Sequence, residues 1–245
     1  MTEPTVAESL LLKIRALLAK AESTDSPAEA QALTGKAADL MAKYGIERAM
    51  LADVAPQDDP IGGREIFIPA PYARDKREIL MRIAQALGCK FILRQKGNRI
   101  FGVPFGYDSD IERIEMLFTS VLVQAAHELA VTEVPWREDP KAFRRSWYQG
   151  YAIAIGARLR EAEARARNRA EAEQQTTAGG RSAALVLVDR ATKLERAYED
   201  QFAGIKKART RQLSGGGRRA GYQAGQRADL GGHKVTRSNR KELGR

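Results

Sequence analysis

The sequence predicts a mainly α-helical protein that contains a small α+β module. Apolar residues recur every three or four positions in several segments, which is the spacing of amphipathic helices. Two short apolar runs flank a glycine-containing turn, as the strands of a β-hairpin would. In order, we expect an N-terminal helical hairpin, an α-β-β-α unit, a long helix, a short strand with a following helix, and a basic Gly-rich tail.

The formal charge is segregated along the chain. Residues 1–205 hold 29 Lys and Arg against 29 Asp and Glu, whereas residues 206–245 hold 12 against 2. The whole formal excess of +10 therefore belongs to the tail. A basic segment of this kind attracts polyanions, because each neutralised phosphate releases condensed counterions.

Composition favours several small modules over one large core. The chain has 245 residues, of which 43% are hydrophobic and 29% charged. We expect a helical hairpin domain over 5–53, an α+β domain with the long helix over 66–205, and the tail over 206–245. No signal peptide is recognisable, and no apolar stretch approaches the roughly 20 residues that span a bilayer. We therefore expect a cytoplasmic protein that contacts no membrane.

Cysteine and histidine are too rare for the common sulfur and zinc sites. Cys89 is the only cysteine, and the chain has two histidines. No internal disulfide can form, and we expect no metal site and no cofactor. Cys89 follows Gly88 and is most simply a small buried apolar residue.

The N-terminal hairpin is predicted from two amphipathic stretches. The first begins near Val6 and carries Leu10, Ile14, Leu17, Leu18 and Ala21 at helical spacing. Ser26-Pro27-Ala28-Glu29 then provides a capping box with proline at the first helical position. Gly45 is placed to end the second helix in a left-handed cap, and 46–53 should form a short further helix. Residues 54–65 are predicted to form a linker.

The hairpin also carries a family resemblance. The resemblance covers residues 11–51, LLKIRALLAKAESTDSPAEAQALTGKAADLMAKYGIERAML, and rests on KIRALLAKAEST, the following EA and the closing LMAKYGI. These motifs are similar to those of the family called domain of unknown function 2786, found in bacterial and phage proteins. A second module similar to residues 72–130 often follows in such proteins. The resemblance implies no activity and no catalytic residue.

The second module is predicted as α-β-β-α. Its first helix ends at Gly88 and carries the apolar stripe Ile79, Leu80, Ile83, Ala84 and Leu87. Phe91–Leu93 and Ile100–Val103 flank Gln95–Asn98 as two short antiparallel strands. Two strands are too few to stand alone, so the two helices must cover them.

The last helix of this module should begin at a capping box. Asp108 or Ser109 can cap it, and Glu112 lies three residues after Ser109. Its buried face is predicted from helical spacing to comprise Ile111, Ile114, Leu117, Val121, Leu122, Ala125 and Leu129.

Asp139-Pro140 opens a long helix whose second half turns polar. Its apolar face is predicted to hold Phe143, Trp147, Tyr151, Ala154 or Ile155, Leu159 and Ala162. Residues 161–173 are almost wholly polar. We interpret them as a solvated helix, with pairing to a second chain as the less favoured alternative.

A loop, a strand and a helix should follow the long helix. Residues 176–182 are predicted to form the loop. Ala184–Val188 is a compact β-prone run, and Asp189 should cap a helix that continues into the tail.

Candidate catalytic chemistry is sparse. Residues 215–220 spell GxGxxA, but no strand precedes them as a dinucleotide fold requires. Asp189 after an apolar run imitates a Walker B carboxylate, yet no phosphate-binding loop accompanies it. An enzyme would need His127, Glu128, Asp189 and tail arginines to converge in one pocket, so catalysis is the least favoured class.

The tail is the main functional candidate, and we expect it to bind nucleic acid through phosphate without sequence-specific readout. Residues 220–230 place small residues at i, i+4 and i+8, which predicts a closely packed helix within the tail. The candidate binding residues are Lys206, Lys207, Arg209, Arg211, Arg218, Arg219, Tyr222, Arg227, Lys234, Arg237, Arg240 and Lys241.

The alternative function is a protein-interaction adaptor that grips a partner with the N-terminal hairpin. In that case the tail only confers solubility or docks an acidic partner. The sequence leaves the oligomeric state open, as well as the choice between DNA and RNA.

Overall fold

The computed structural model of the chain describes residues 9, 10, 12–14, 16, 17, 20, 27–205 and 213–228. The described residues between 9 and 20 are helical, and helix α1 spans Pro27–Val54. The expected helix end at Gly45 is wrong, because α1 continues through it. The Arg113 guanidinium lies against Gly45, and a Cβ there would be 2.7 Å from Arg113 Cζ. Gly45 therefore makes room for the Arg113 side chain and does not form a left-handed helix cap.

The small sheet has four strands in the described residues, where the sequence predicted two. All pairs are antiparallel, and the longest strand, β4, lies in the middle with β3 on one side and the short β1 and β2 on the other. The strands are β1 (Ile61–Gly63), β2 (Ile66–Ile68), β3 (Lys90–Lys96) and β4 (Arg99–Tyr107). The predicted hairpin is confirmed by β3 and β4. The linker predicted over 54–65 is wrong, because a 3₁₀ turn at Pro56–Asp58 and strand β1 lie within it.

Side-chain alternation along β4 gives the sheet two covered faces. Helix α2, Ala73–Ala86, covers one face, where Leu80 packs over Gly102. On the other face, Phe105 meets Phe202 edge to face with ring centroids 5.1 Å apart. The sheet is thus held between α2 and a later helix, as its small size requires.

Two further helices follow the sheet. Helix α3 spans Asp108–Ala130 and helix α4 spans Pro140–Ala172. The helix start expected at Asp139-Pro140 is confirmed, and Asp139 caps α4, because its carboxylate accepts a hydrogen bond from Ala142 N at 2.6 Å. The cap predicted at Asp108 or Ser109 is wrong: Tyr107 occupies the cap position of α3, and Ser109 instead donates to Asp59.

The segment predicted as a strand over Ala184–Val188 belongs to a helix. Helix α5 spans Ala183–Gln201, and its cap is Ser182, whose hydroxyl accepts from Leu185 N at 3.4 Å. Asp189 therefore lies inside α5 and is not its cap. The aliphatic run is helical because residues at helical spacing are buried, namely Ala183, Val186 and Leu194.

The polar second half of α4 is packed along one face rather than fully solvated. Ala170 is buried in a small cluster with Ile46 of α1 and Ala183 of α5, and Ala166 packs at its edge. Ala162, Ala166 and Ala170 recur every four residues, so small side chains form a stripe between the charged ones. The four-residue spacing of these alanines is visible in the sequence, and it contradicts the expectation of a fully solvated helix.

The main core surrounds α4. Trp147 and Tyr151 are fully buried, and their rings stack with centroids 5.0 Å apart. Cys89 is buried as predicted, and burial raises the pKa of its thiol well above the ordinary value, so it stays protonated. The predicted fold class, mainly α with a small α+β module, is confirmed. None of the helices in the described part of the chain is long and apolar enough to cross a membrane.

Candidate functional site

A short helix from the tail docks against α4 through glycines. Helix α6 spans Arg218–Arg227, as the spacing of small residues predicts. A Cβ at Gly221 would overlap the Trp147 carbonyl oxygen, and a Cβ at Gly225 would lie 2.8 Å from the Tyr151 carbonyl oxygen. Gly150 of α4 is equally close to the backbone of α6. Contact positions rise together along both helices, so α4 and α6 run parallel with their N-termini at the same end.

Polar contacts hold α6 at both ends. Glu138 accepts a hydrogen bond from Gly216 N at 2.7 Å, just before the helix begins. At the other end, Arg158 donates to the carbonyl oxygens of Gly225, at 3.0 Å, and Ala228. A carboxylate near a helix N-terminus and a cation near its C-terminus both complement the helix dipole. The docked position of α6 is therefore specified by packing and by charge.

Four predicted binding residues lie on α6. Arg218, Arg219 and Tyr222 are exposed, and Tyr222 presents 41% of its surface to solvent. Arg227 is also exposed but donates to Glu128 at 2.7 Å, which gives it a structural role in docking. The other predicted residues lie outside the described part of the chain: Lys206, Lys207, Arg209, Arg211, Lys234, Arg237, Arg240 and Lys241.

Cations of α4 that were not among the predicted binding residues lie at the same end as Arg218 and Arg219. Lys141 and Arg144 are exposed in the first turns of α4, and Arg145 is half-buried 3.7 Å from Asp75. The signal was present in the sequence, because KAFRR directly follows the Asp139 cap. We call Lys141, Arg144, Arg145, Arg218, Arg219 and Tyr222 the basic end.

A buried network of charges holds the opposite half of α4. Arg113 of α3 donates to Asp110 at 2.9 Å and to Glu163 of α4, and only 3% of its side chain is exposed. Burial lowers the pKa of Arg113, but the charges and hydrogen bonds of Glu163 and Asp110 reverse this and raise it above its ordinary value. Burial raises the pKa of Glu163, and the charge of Arg113 offsets that only in part.

Arg190 of α5 extends this network to the loop before β1. It lies 2.9 Å from Asp59 and 3.4 Å from Asp110, and its guanidinium stacks 3.5 Å from the centre of the Tyr107 ring. Asp59 also accepts from the backbone N and the hydroxyl of Ser109, each at 2.8 Å. Each carboxylate therefore has a charged partner, as burial requires.

The comparison with known proteins identifies the N-terminal region. Residues 9–48 match the family model described as Protein of unknown function (DUF2786). The resemblance found in the sequence is thereby confirmed over 40 of the 245 residues. No curated protein and no solved structure matches the chain.

The DUF2786 region meets the charged network at Gly45, within the motif LMAKYGI. The missing side chain lets the Arg113 guanidinium lie directly on the α1 backbone. Tyr44 beside it is buried, and burial raises the pKa of its hydroxyl. Asp39 of the same region also lies 3.6 Å from Arg165 of α4, so the region is joined to the rest of the chain by an ion pair as well as by packing.

The network could have been found from the sequence. Arg113, Glu163 and Arg190 each lie four residues from a buried apolar residue on the same helical face: Leu117, Leu159 and both Val186 and Leu194. Charged residues inside an apolar stripe indicate buried, paired charges. Of the residues that an enzyme would have needed to converge, Glu128 meets one tail arginine, Arg227, whereas Asp189 of α5 pairs with Arg181 instead.

Proposed function

We propose that the protein binds nucleic acid through the sugar-phosphate backbone, using the basic end. The observation that carries this proposal is the glycine-mediated docking of α6 on α4. Docking buries the small residues of α6 and leaves Arg218, Arg219 and Tyr222 exposed in a fixed orientation. The first turns of α4 add cations at the same end of the molecule.

The chemistry of this surface suits phosphate. Guanidinium groups form paired hydrogen bonds with phosphate oxygens, and two parallel helix N-termini add positive potential at the same end. Tyr222 can stack on an unpaired base. Glu138 and Asp139 lie at the same end, but both are already engaged by backbone N–H groups. Contacts to phosphate fix orientation without reading the bases, so we propose binding without sequence specificity.

The rest of the tail supports the proposal through its sequence. Lys206, Lys207, Arg209 and Arg211 precede α6 in the chain, and Lys234, Arg237, Arg240 and Lys241 follow it. In this proposal α6 is the fixed point from which these cations extend along the phosphates. If about 5 to 8 phosphates are contacted, the logarithm of affinity should fall with the logarithm of salt concentration with a slope of roughly −4 to −7.

Fluorescence anisotropy of labelled single- and double-stranded oligonucleotides tests this proposal on the full chain. Replacing Arg218 and Arg219 by Gln should weaken binding roughly tenfold and reduce the salt slope by about 2, since two phosphate contacts are lost. The charge-matched control replaces Arg169 and Arg196 by Gln. Both residues are exposed, and they lie on α4 and α5 away from the basic end.

The control distinguishes a defined surface from net charge alone. Equal weakening in both double variants would show that only the total charge matters, and the basic end would lose its assigned role. Absence of oligonucleotide binding by the unchanged chain at moderate salt would overturn the proposal. The protein-interaction alternative at the N-terminal hairpin would then be the function to test.

A further inference from the structure

A cleft of about 270 Å³ lies beside the charged network, at the meeting point of α1, the end of α2, α3, α4 and α5. One part of its wall is apolar and includes Ile46, Leu87, Leu187 and Leu194. Another part is charged. Ligand pockets commonly combine a mostly apolar wall with a few placed polar groups, and this cleft is at the small end of their size range.

The charged wall contains hydrogen-bond donors that the protein does not use. Arg113 lines the cleft, but its Nε is buried from solvent and therefore lies out of reach of a ligand in the cleft. Arg160 and Arg167 also line it, and neither forms an ion pair or side-chain hydrogen bond with any residue that the structure describes. The guanidinium groups of Arg160 and Arg167 can therefore donate to an acceptor from outside the chain.

The charged groups around the cleft determine whether it favours an anion or a cation. Arg113, Arg160, Arg167 and Arg190 line the cleft together with Asp110 and Glu163. Asp59 binds Arg190 from behind, which brings the count to four guanidinium groups against three carboxylates. The three carboxylates form ion pairs with Arg113 and Arg190. Arg160 and Arg167 form no ion pair among the described residues, although Arg167 is close enough to Glu163 for its charge to favour the ionised carboxylate. The cleft therefore favours an anion at the side where Arg160 and Arg167 lie.

The placement of these arginines follows from the helix. Arg160, Glu163 and Arg167 are spaced i, i+3 and i+7 along α4, so they share one face. Glu163 binds the Arg113 guanidinium and positions it, while the two outer arginines flank this pair. A planar guanidinium presents several donors in a fixed fork, which matches a phosphate group better than a single ammonium would.

We propose that this cleft binds a small organic phosphate. The phosphate group faces Arg160 and Arg167, and the organic part lies against Ile46, Leu187 and Leu194. A cation is disfavoured by the positive excess, and a neutral apolar ligand would leave the arginine donors unsatisfied. This site is separate from the basic end. Its lining includes Gly45 and Ile46 of the DUF2786 region together with residues of the later helices.

Isothermal titration calorimetry on the full chain tests the site with ribose 5-phosphate and AMP. Ribose and adenosine are the uncharged counterparts, and inorganic phosphate measures the contribution of the anion alone. We expect both organic phosphates to bind more tightly than inorganic phosphate, and ribose and adenosine to bind at least tenfold more weakly. Replacing Arg160 and Arg167 by Gln should weaken binding of the organic phosphates at least tenfold. Both side chains are exposed enough for the variant to fold, which circular dichroism verifies.

Two control variants locate the binding. Replacing Arg169 and Arg196 by Gln removes the same charge outside the cleft and should leave affinity unchanged. Replacing Arg218 and Arg219 by Gln should also leave it unchanged, which separates this site from the nucleic-acid surface. No binding of any phosphate at concentrations up to about 10 mM would overturn the proposal. So would binding that the basic-end variant abolishes and the Arg160/Arg167 variant does not.

Discussion

The long helix α4 is held by two junctions of opposite chemistry. At the glycine junction, formed by Gly150, Gly217, Gly221 and Gly225, helix backbones touch and no side chain fits between them. At the charged junction, formed by Asp59, Asp110, Arg113, Glu163 and Arg190, side chains of opposite charge fill the space between helices and form ion pairs.

The two junctions differ in which amino-acid substitutions they tolerate. Close backbone contact depends on shape alone, so adding a single carbon is disruptive and no second substitution restores the fit. A buried ion network depends on pairing, so removing one partner is costly while removing both partners together can be nearly neutral. The difference suits their proposed roles. The glycine junction fixes the direction of exposed arginines, and the charged junction lies in the wall of the cleft beside Arg160 and Arg167.

The largest expected effect is the loss of one partner at the charged junction. Replacing Arg113 by Met removes the guanidinium that pairs with Asp110 and Glu163, and leaves two carboxylates in a buried site. We expect the free energy of unfolding to fall by about 3 to 5 kcal/mol. Urea denaturation followed by circular dichroism measures this fall.

A repacking variant checks the cause. Adding Glu163→Leu to Arg113→Met removes an unpaired carboxylate and should recover a large part of the lost stability. Replacing Arg99, an exposed arginine of β4, by Met serves as the control and should have little effect. If Arg113→Met were as stable as the unchanged protein, pairing at this junction would contribute nothing.

The glycine junction should respond to the smallest possible substitution. A Cβ at Gly221 would overlap the Trp147 carbonyl oxygen, so Gly221→Ala must push α6 away from α4. We expect a loss of about 1 to 3 kcal/mol, by the usual cost of overpacking. Hydrogen exchange measured by mass spectrometry should show that α6 opens before the core does.

Gly62→Ala provides the matched control for Gly221→Ala. A Cβ at Gly62 meets nothing within 4 Å, so this variant should keep the stability of the unchanged protein. Normal protection of α6 in Gly221→Ala would contradict the close packing that orients the basic end.

The contrast between the junctions also shows what a sequence can reveal. The glycine junction was predictable in part, because small residues at i, i+4 and i+8 favour close helix packing whatever the partner is. The capping role of Asp139 was predictable for a similar reason, since a cap is satisfied within a few residues. Local chemistry was sufficient in both cases.

Predictions from the sequence were wrong where residues far apart in the chain determine the local structure. Gly45 has the sequence context of a helix end, but its role is set by Arg113, which is far away in the chain. Ala184–Val188 has the composition of a strand, but burial at helical spacing and the Ser182 cap make it helical. Strands β1 and β2 have three residues each, too few for a pattern, and exist because they pair with β4.

A smaller effect is expected where the glycine junction begins. Replacing Asp139 by Ala removes the hydrogen bond to Ala142 N that caps α4. We expect the free energy of unfolding to fall by about 1 kcal/mol, measured by urea denaturation. Replacing Asp139 by Asn keeps a capping oxygen and should be nearly neutral. Equal losses in both variants would point to the charge of Asp139 instead of its cap.

The smallest expected effect is a change with pH at the charged junction. Burial raises the pKa of Glu163 above its ordinary value of 4.5. The folded protein therefore binds a proton at Glu163 more readily than the unfolded chain does. Stability linked to Glu163 is therefore gained as the pH falls from 7 toward 4.5, and is lost as the pH rises through the folded-state pKa. Glu163→Gln cannot take up this proton. The difference in unfolding free energy between the unchanged protein and Glu163→Gln should thus shift in favour of the unchanged protein at lower pH, measured by urea denaturation at pH 7, 6 and 5.

The exposed Glu161, replaced by Gln, is the control on the same helix. A shift in the opposite direction would mean that pairing with Arg113 outweighs burial, and that the charged junction gains stability from ionised Glu163.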